Sequence, residues 1–126
     1  GAWREAMQNH MLVLPGHLNH YGYLFGGHLL KWVDESAWIA ATLDYPGCSL
    51  VTVAMDRVEF HRSVQQGTIL TCHITRSRQG TTSVQYVVSV TRPGADGQPE
   101  EIFSNTVTLV RVDAQGRKLA LTAPRG

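Results

Sequence analysis

The stretch 28–43 decides the fold: His28-Leu29-Leu30-Lys31-Trp32-Val33-Asp34-Glu35-Ser36-Ala37-Trp38-Ile39-Ala40-Ala41-Thr42-Leu43. Its apolar residues Leu29, Leu30, Val33, Ala37, Ala40 and Ala41 recur at the spacing of one helical face. Trp32, Trp38 and Ile39 make the other faces apolar too, which predicts a helix buried nearly all round. Gly26-Gly27 opens it, and Pro46-Gly47 ends it.

The flanking sequence reads differently. Upstream, Met11-Leu12-Val13-Leu14 predicts a short first strand, stopped by Pro15-Gly16 and followed by a polar and aromatic loop, 17–23. Downstream, β-branched and alternating segments predict four strands over 50–60, 68–77, 83–91 and 102–112. Gln66-Gly67, Gln79-Gly80 and Pro93-Gly94-Ala95-Asp96-Gly97 supply the turns between them. One helix covers only one face of a sheet. These strands carry more Val, Ile and Leu than one buried face needs, so a partner that covers or extends the sheet is expected. The predicted class is α+β, with a five-stranded antiparallel sheet wrapped around one long central helix. The whole of 1–126 is read as a single domain whose polar tail, from about 113, frays.

Composition excludes several functions. The 11 basic and 10 acidic residues give a net charge of +1, and the basic ones are scattered rather than gathered into a nucleic-acid-binding stripe. Two cysteines, Cys48 and Cys72, cannot build a disulfide framework, and a reducing cytoplasm is the expected compartment. Residues 1–10 are charged and lack the apolar centre of a signal peptide. No apolar run approaches the roughly 18 residues of a membrane span.

Three features between Asn19 and Glu35 bear on chemistry. Gly26-Gly27 at a helix start offers free backbone N–H groups and the positive end of the helix dipole to an oxyanion. Tight loop packing would explain the same pair. Asp34 is an acid in the middle of an apolar helix, on the face of Leu30 and Trp38, which this spacing turns inward. It reads either as a general base or nucleophile, or as half of a salt bridge to Arg57 or Arg62. Glu35, about 100° further round, points to solvent or a subunit boundary. The amide of Asn19 can donate to a carbonyl, or can simply cap its own loop. Gly26 and Asp34 are eight residues apart, or about 12 Å along a helix, so one carbonyl carbon cannot touch both. If both serve one substrate, each must come from a different subunit.

The ordered set Asn19-His20-Tyr21-Gly22, Leu24-Phe25-Gly26-Gly27 and Trp32-Val33-Asp34-Glu35 resembles the signature of the acyl-CoA hydrolases of the hotdog superfamily. The likeness continues through Leu50-Val51-Thr52-Val53-Ala54-Met55-Asp56, Phe60 and Gly67 to Gly80-Thr81-Thr82-Ser83-Val84, covering about 10–112. It implies hydrolysis of an acyl-CoA thioester to a free acid and coenzyme A, without metal or organic cofactor. Asp34 then matches the helix carboxylate, Asn19 the loop amide that assists across the subunit boundary, and Gly26 and Gly27 the oxyanion donors. It also implies a homodimer as the minimal unit, assembled further to a tetramer or hexamer.

Departures from that pattern mark further candidates. Tyr23 stands before Leu-Phe-Gly-Gly where relatives have a smaller or polar residue, and together with Trp38 it is a candidate acyl contact. Phe60-His61-Arg62-Ser63 replaces a Phe-Lys-Lys/Arg-Pro run, leaving Arg62 as a candidate phosphate contact or a plain surface charge. Thr81, Thr82 and Ser83 line a pantetheine path or merely form a hairpin turn. The six histidines have no metal-ligand spacing, and no Gly-x-Ser-x-Gly elbow accompanies them. Two other readings of the same fold remain: a non-catalytic acyl-CoA-binding module, and a dehydratase. The second needs a His-plus-acid pair, and neither His28 nor His61 has one at an evident spacing.

Overall fold

The computed structural model describes residues 7–124; the rest of the N-terminal stretch, residues 1–6, lies outside the described residues. The elements run β1 (Met7–Leu12), a 3-10 turn (Pro15–His17), α1 (Gly26–Asp44), β2 (Ser49–Phe60), β3 (Ile69–Gln79), β4 (Ser83–Pro93) and β5 (Pro99–Val112). The five strands form one antiparallel sheet in the order β1-β3-β4-β5-β2, and α1 lies across one face of it. This is the α+β hotdog arrangement that the order of elements implied.

Several boundaries differ from expectation: β5 starts at Pro99 rather than 102, and β3 and β4 end two residues late, at Gln79 and Pro93. The first strand spans Met7–Leu12 rather than 11–14. Met7, Asn9 and Met11 alternate inward there, and the polar member of that row, Asn9, donates to Ser36 Oγ at 3.1 Å. Val13 leaves the β1 ladder to exchange backbone bonds with Thr68 and Gly67. The helix begins two residues earlier than its apolar spacing, at Gly26, and it is not buried all round. Leu29, Val33, Ser36, Ala37, Ala40, Ala41 and Asp44 face the sheet, while Trp38, Ile39 and Leu43 are exposed. The small alanines let the helix approach the strands closely.

The core lies between α1 and the inner face of the sheet, where Leu70, Ile74, Tyr86, Val88, Val90, Phe103 and Leu109 are buried. Each such side chain contributes about 1.5–3 kcal/mol on burial. The outer face is polar, carrying Thr71, His73, Gln85, Ser89, Thr106 and Thr108, with His73 bonded to Gln8 and Thr91. That face also exposes Val87, which pairs with Thr106. The apolar surplus is densest along the edge strand β2, at Val51, Val53, Val58 and Phe60, and on the adjoining helix flank at Trp38 and Ile39. An edge strand of this kind invites extension by another strand.

A buried polar group closes the end of the core. Asp44 Oδ2 accepts a hydrogen bond from Tyr86 OH (2.7 Å) and lies 3.8 Å from Arg76 Nη1; Arg76 also sits over the Tyr45 ring. Burial, and then the neighbouring Asp44, push the Tyr86 phenol far above its ordinary range.

The tail expected to fray from about 113 is tied back to the sheet. Asp113 Oδ1 accepts the N–H groups of Gln115 and Arg117, Leu119 N–H donates to Arg111, and Leu121 N–H donates to Thr81. A polar composition hid this, because the contacts use backbone groups. No helix among the described residues is long and apolar enough to cross a membrane.

Candidate functional site

Two clefts flank the start and the middle of α1. The first, of about 560 Å³, is lined by Asn19, Tyr21, Tyr23, Leu24, Gly26 and Leu29 on one side and by residues 60–64 on the other. The loop that forms it is held by Asn19, whose Oδ1 accepts the backbone N–H groups of Tyr21 (3.0 Å) and Tyr23 (3.1 Å). The capping reading of Asn19 is thus correct for its oxygen. Its amide nitrogen makes no hydrogen bond among the described residues and remains available to donate.

At the start of α1, Phe25 occupies the cap position without a side-chain cap. Phe25 O accepts from His28 and Leu29, so the N–H groups of Gly26 and Gly27 have no acceptor among the described residues. Glycine is needed here for closeness. A Cβ on Gly26 would stand 3.3 Å from the Phe60 ring, and one on Gly27 would stand 2.6 Å from the Phe25 ring. Tyr23 borders this cleft, whereas Gly27 lies outside it.

The second cleft, of about 540 Å³, is lined by Asp34, Glu35, Trp38, Ile39, Val51 and Thr52. Asp34 does not face the core with Leu30 and Trp38 as its spacing implied; it is half-buried on the helix flank beside β2. Neither Arg57 nor Arg62 reaches it. Its partner is Thr52, whose hydroxyl donates to Oδ1 at 2.6 Å. Trp38 is anchored by its indole N–H to Leu50 O, at 3.2 Å. Glu35 points to solvent and pairs loosely with Lys31.

Asn19 and Gly26 are therefore brought together, and Asp34 and Trp38 are brought together, in two different clefts. Arg62 joins the first cleft, but its guanidinium is shared between Glu100 Oε1 and His61 O. Hydrogen bonding from Arg92, helped by Arg62, holds the Glu100 carboxyl below its ordinary range. Thr81, Thr82 and Ser83 border neither cleft. They form the β3–β4 turn, where their carbonyls accept from Leu121, Arg111 and Gly80.

Two groups carry no role in the sequence pattern. Thr52 lies opposite Asp34 because β2 packs beside α1. His61, for which sequence spacing predicts no acidic partner, has its Nε2 3.1 Å from Glu101 and 3.6 Å from Glu59. Glu101 comes from β5, forty residues away, so sequence spacing carried no signal of it. Among the described residues no cluster of His, Cys, Asp and Glu could hold a metal ion.

Comparison with known proteins agrees with this architecture. Residues 21–96 match the family model of the Thioesterase superfamily. Acyl-coenzyme A thioesterase 11 of Mus musculus is 34% identical over 84 residues, which is 67% of this chain and 14% of that protein. The chain thus spans about one-seventh of the length of that curated relative. The acyl-CoA hydrolase of Staphylococcus aureus, solved with butyryl coenzyme A, coenzyme A and coenzyme A disulfide, superposes with a TM-score of 0.84 at 27% identity, covering 94% of this chain and 72% of that one. A hexameric hotdog fold thioesterase of Campylobacter jejuni superposes with a TM-score of 0.78 at 30% identity, covering 90% and 88%. On its fold, its helix-start glycines and this match across the central 76 residues, the chain belongs to the thioesterase superfamily.

Proposed function

We propose that this chain hydrolyses acyl-CoA thioesters to a free carboxylic acid and coenzyme A, in a site assembled between two copies. One observation carries the reading. The free N–H groups at the start of α1, with the Asn19 amide of the preceding loop beside them, and the Asp34 carboxylate in the middle of α1 lie in separate clefts, beside an exposed apolar edge. A second copy that extends the sheet at β2 would bring one copy's Asp34 to the other's Asn19 and Gly26. The C2 symmetry of such a pair creates two equivalent sites.

In that site the thioester carbonyl oxygen accepts hydrogen bonds from the N–H groups of Gly26 and Gly27, where negative charge develops. Asn19 Nδ2 donates to the carbonyl or orients the attacking water. Asp34 takes the proton of that water as it bonds to the carbonyl carbon, or attacks the carbon directly; Thr52 orients the carboxylate for either route. On the base route the tetrahedral intermediate collapses, the C–S bond breaks, and the sulfur leaves with the proton held by Asp34 as the thiol of coenzyme A. On the nucleophile route the thiolate leaves first and an acyl–Asp34 anhydride forms; water then cleaves it to release the free acid, restore the carboxylate and supply the thiol's proton. Tyr23 and Trp38 border the acyl chain, Arg62 contacts a phosphate, and Thr81, Thr82 and Ser83 flank the pantetheine arm. No metal or organic cofactor takes part. The homodimer is the minimal active unit, and it assembles to a tetramer or hexamer.

The test is thiol release from a panel of acyl-CoA esters by wild type, Asp34→Ala and Asn19→Ala at matched oligomeric state. Wild type should turn over some members, and both variants should lose most of that rate while folded. Acyl-CoA binding without thiol release would instead make the protein a non-catalytic binding module.

A further inference from the structure

We infer that Arg57 and Arg78 form a second anion site, on the outer face of the sheet, that takes a diphosphate or phosphate ester. Both arginines come from irregular points in their strands. The β2–β5 register shifts between Asp56 and Glu59, and the β3–β4 register shifts between Arg76 and Arg78. A bulge of this kind re-aims a side chain out of the regular alternation. Here both border one cavity of about 700 Å³, floored by Ser77, Gln85 and Thr106 together with the apolar Val87.

The backbone at Arg57 adds an independent observation. Its φ is 52°, making it the one non-glycine residue with positive φ among the described residues. Glycine adopts this conformation without steric cost, and a residue with a Cβ does not. Keeping a guanidinium there at the expense of stability points to use of that guanidinium, since such outliers gather at functional positions.

The electrostatics agree. Arg62 and Arg92 share Glu100, and Arg117 holds Asp113. Among the described residues, Arg57 and Arg78 have no ion pair or side-chain hydrogen bond. Asp56 also borders the cavity without pairing either, so two cations face one anion. β2 and β3 are separated by β5 and β4, which puts their axes about 14 Å apart, so the strands that carry the two guanidinium groups border the cavity from opposite sides. Guanidinium groups so arranged suit the several oxygens of a phosphoryl ligand better than a monatomic anion.

The experiment is calorimetric titration of the assembled protein with inorganic pyrophosphate at constant ionic strength, which needs no turnover. Wild type should bind, and Arg78→Gln and Arg57→Gly should each weaken binding at least about 10-fold. Arg57→Gly should also raise Tm by a few degrees, because glycine relieves the left-handed backbone. Absence of pyrophosphate binding, equal binding by the variants, or an Arg57→Gly protein that loses stability would each overturn the site. Kinetics then separate the sources of the phosphate. If both variants raise KM for acyl-CoA but not for acyl-pantetheine, the ligand is the nucleotide end of the substrate. If neither KM changes while pyrophosphate binding is lost, the ligand is a separate phosphorylated molecule.

Discussion

Thr52 Oγ1 donates a 2.6 Å hydrogen bond to Asp34 Oδ1, tying the carboxylate in the middle of α1 to the edge strand β2. A charge-assisted bond of this kind contributes about 1.5–3 kcal/mol. If Asp34 must be oriented to react, Thr52→Val should lower kcat by about 10- to 100-fold at unchanged fold. Thr52→Ser, which keeps the hydroxyl, should restore most of the rate. Steady-state kinetics of the two variants decide the point, and equal rates for Val and Ser would remove Thr52 from the mechanism.

A site shared between copies has a signature in mixtures. Asp34→Ala and Asn19→Ala should each be inactive alone. Dissociated, mixed in equal amounts and reassembled, they should recover about a quarter of wild-type activity, because half of random dimers are mixed and each mixed dimer has one intact site. No recovery would mean that both residues serve the same chain's site.

The buried Asp44–Arg76–Tyr86 group makes a stability prediction. Arg76→Leu leaves Asp44 short of its buried cation and should cost about 3–5 kcal/mol in denaturant unfolding. Tyr86→Phe removes one hydrogen bond to the same carboxylate and should cost about 1–3 kcal/mol. Thiol release should survive the second change.

Thiol chemistry should separate the two cysteines. Burial pushes the Cys72 thiol up to about 11, whereas Cys48 is half-buried. A thiol-selective reagent at pH 8 should label Cys48 on the native protein and reach Cys72 only on unfolding. The raised value also means that the neutral thiol favours the folded state. That contribution is complete below the ordinary thiol value and is lost as pH rises through about 11.

The tail should loosen in acid. The backbone N–H of Arg117, and then that of Gln115, hold the Asp113 carboxyl below its ordinary range. A lowered value means that this stabilisation is present above the unfolded-chain value, near about 3.9, and is lost as pH falls through the folded one. The protection factors of the Leu119 and Leu121 amides, which refer each rate to that of an unstructured chain at the same pH, should therefore fall in acid, and Asp113→Ala should lower them at neutral pH.

Much of this was legible in the chain because it rests on local periodicity. The residues 28–43 and the strands 50–60 and 83–91 carried their own spacing, and the structure moves their ends by only one or two residues. β1 starts earlier than its apolar residues imply because Asn9 interrupts its inward row, and Ser36 on α1 satisfies that amide. The helix's exposed flank was misjudged for a related reason. Trp38 and Ile39 look like core residues by type, but the sheet reaches only the side of α1 that carries Ala37, Ala40 and Ala41.

The candidate site divides in the same way. The sequence by itself determined the order of elements, the resemblance carried by Asn19, Gly26 and Asp34, and the separation of Gly26 from Asp34, because helical rise is fixed by backbone geometry. Only the tertiary structure decided that Thr52 meets Asp34, that Glu101 meets His61, and that Arg57 and Arg78 face one cavity. Those pairs join different elements across the sheet or between sheet and helix. Strand register and packing, which depend on every residue in the core at once, set their distances.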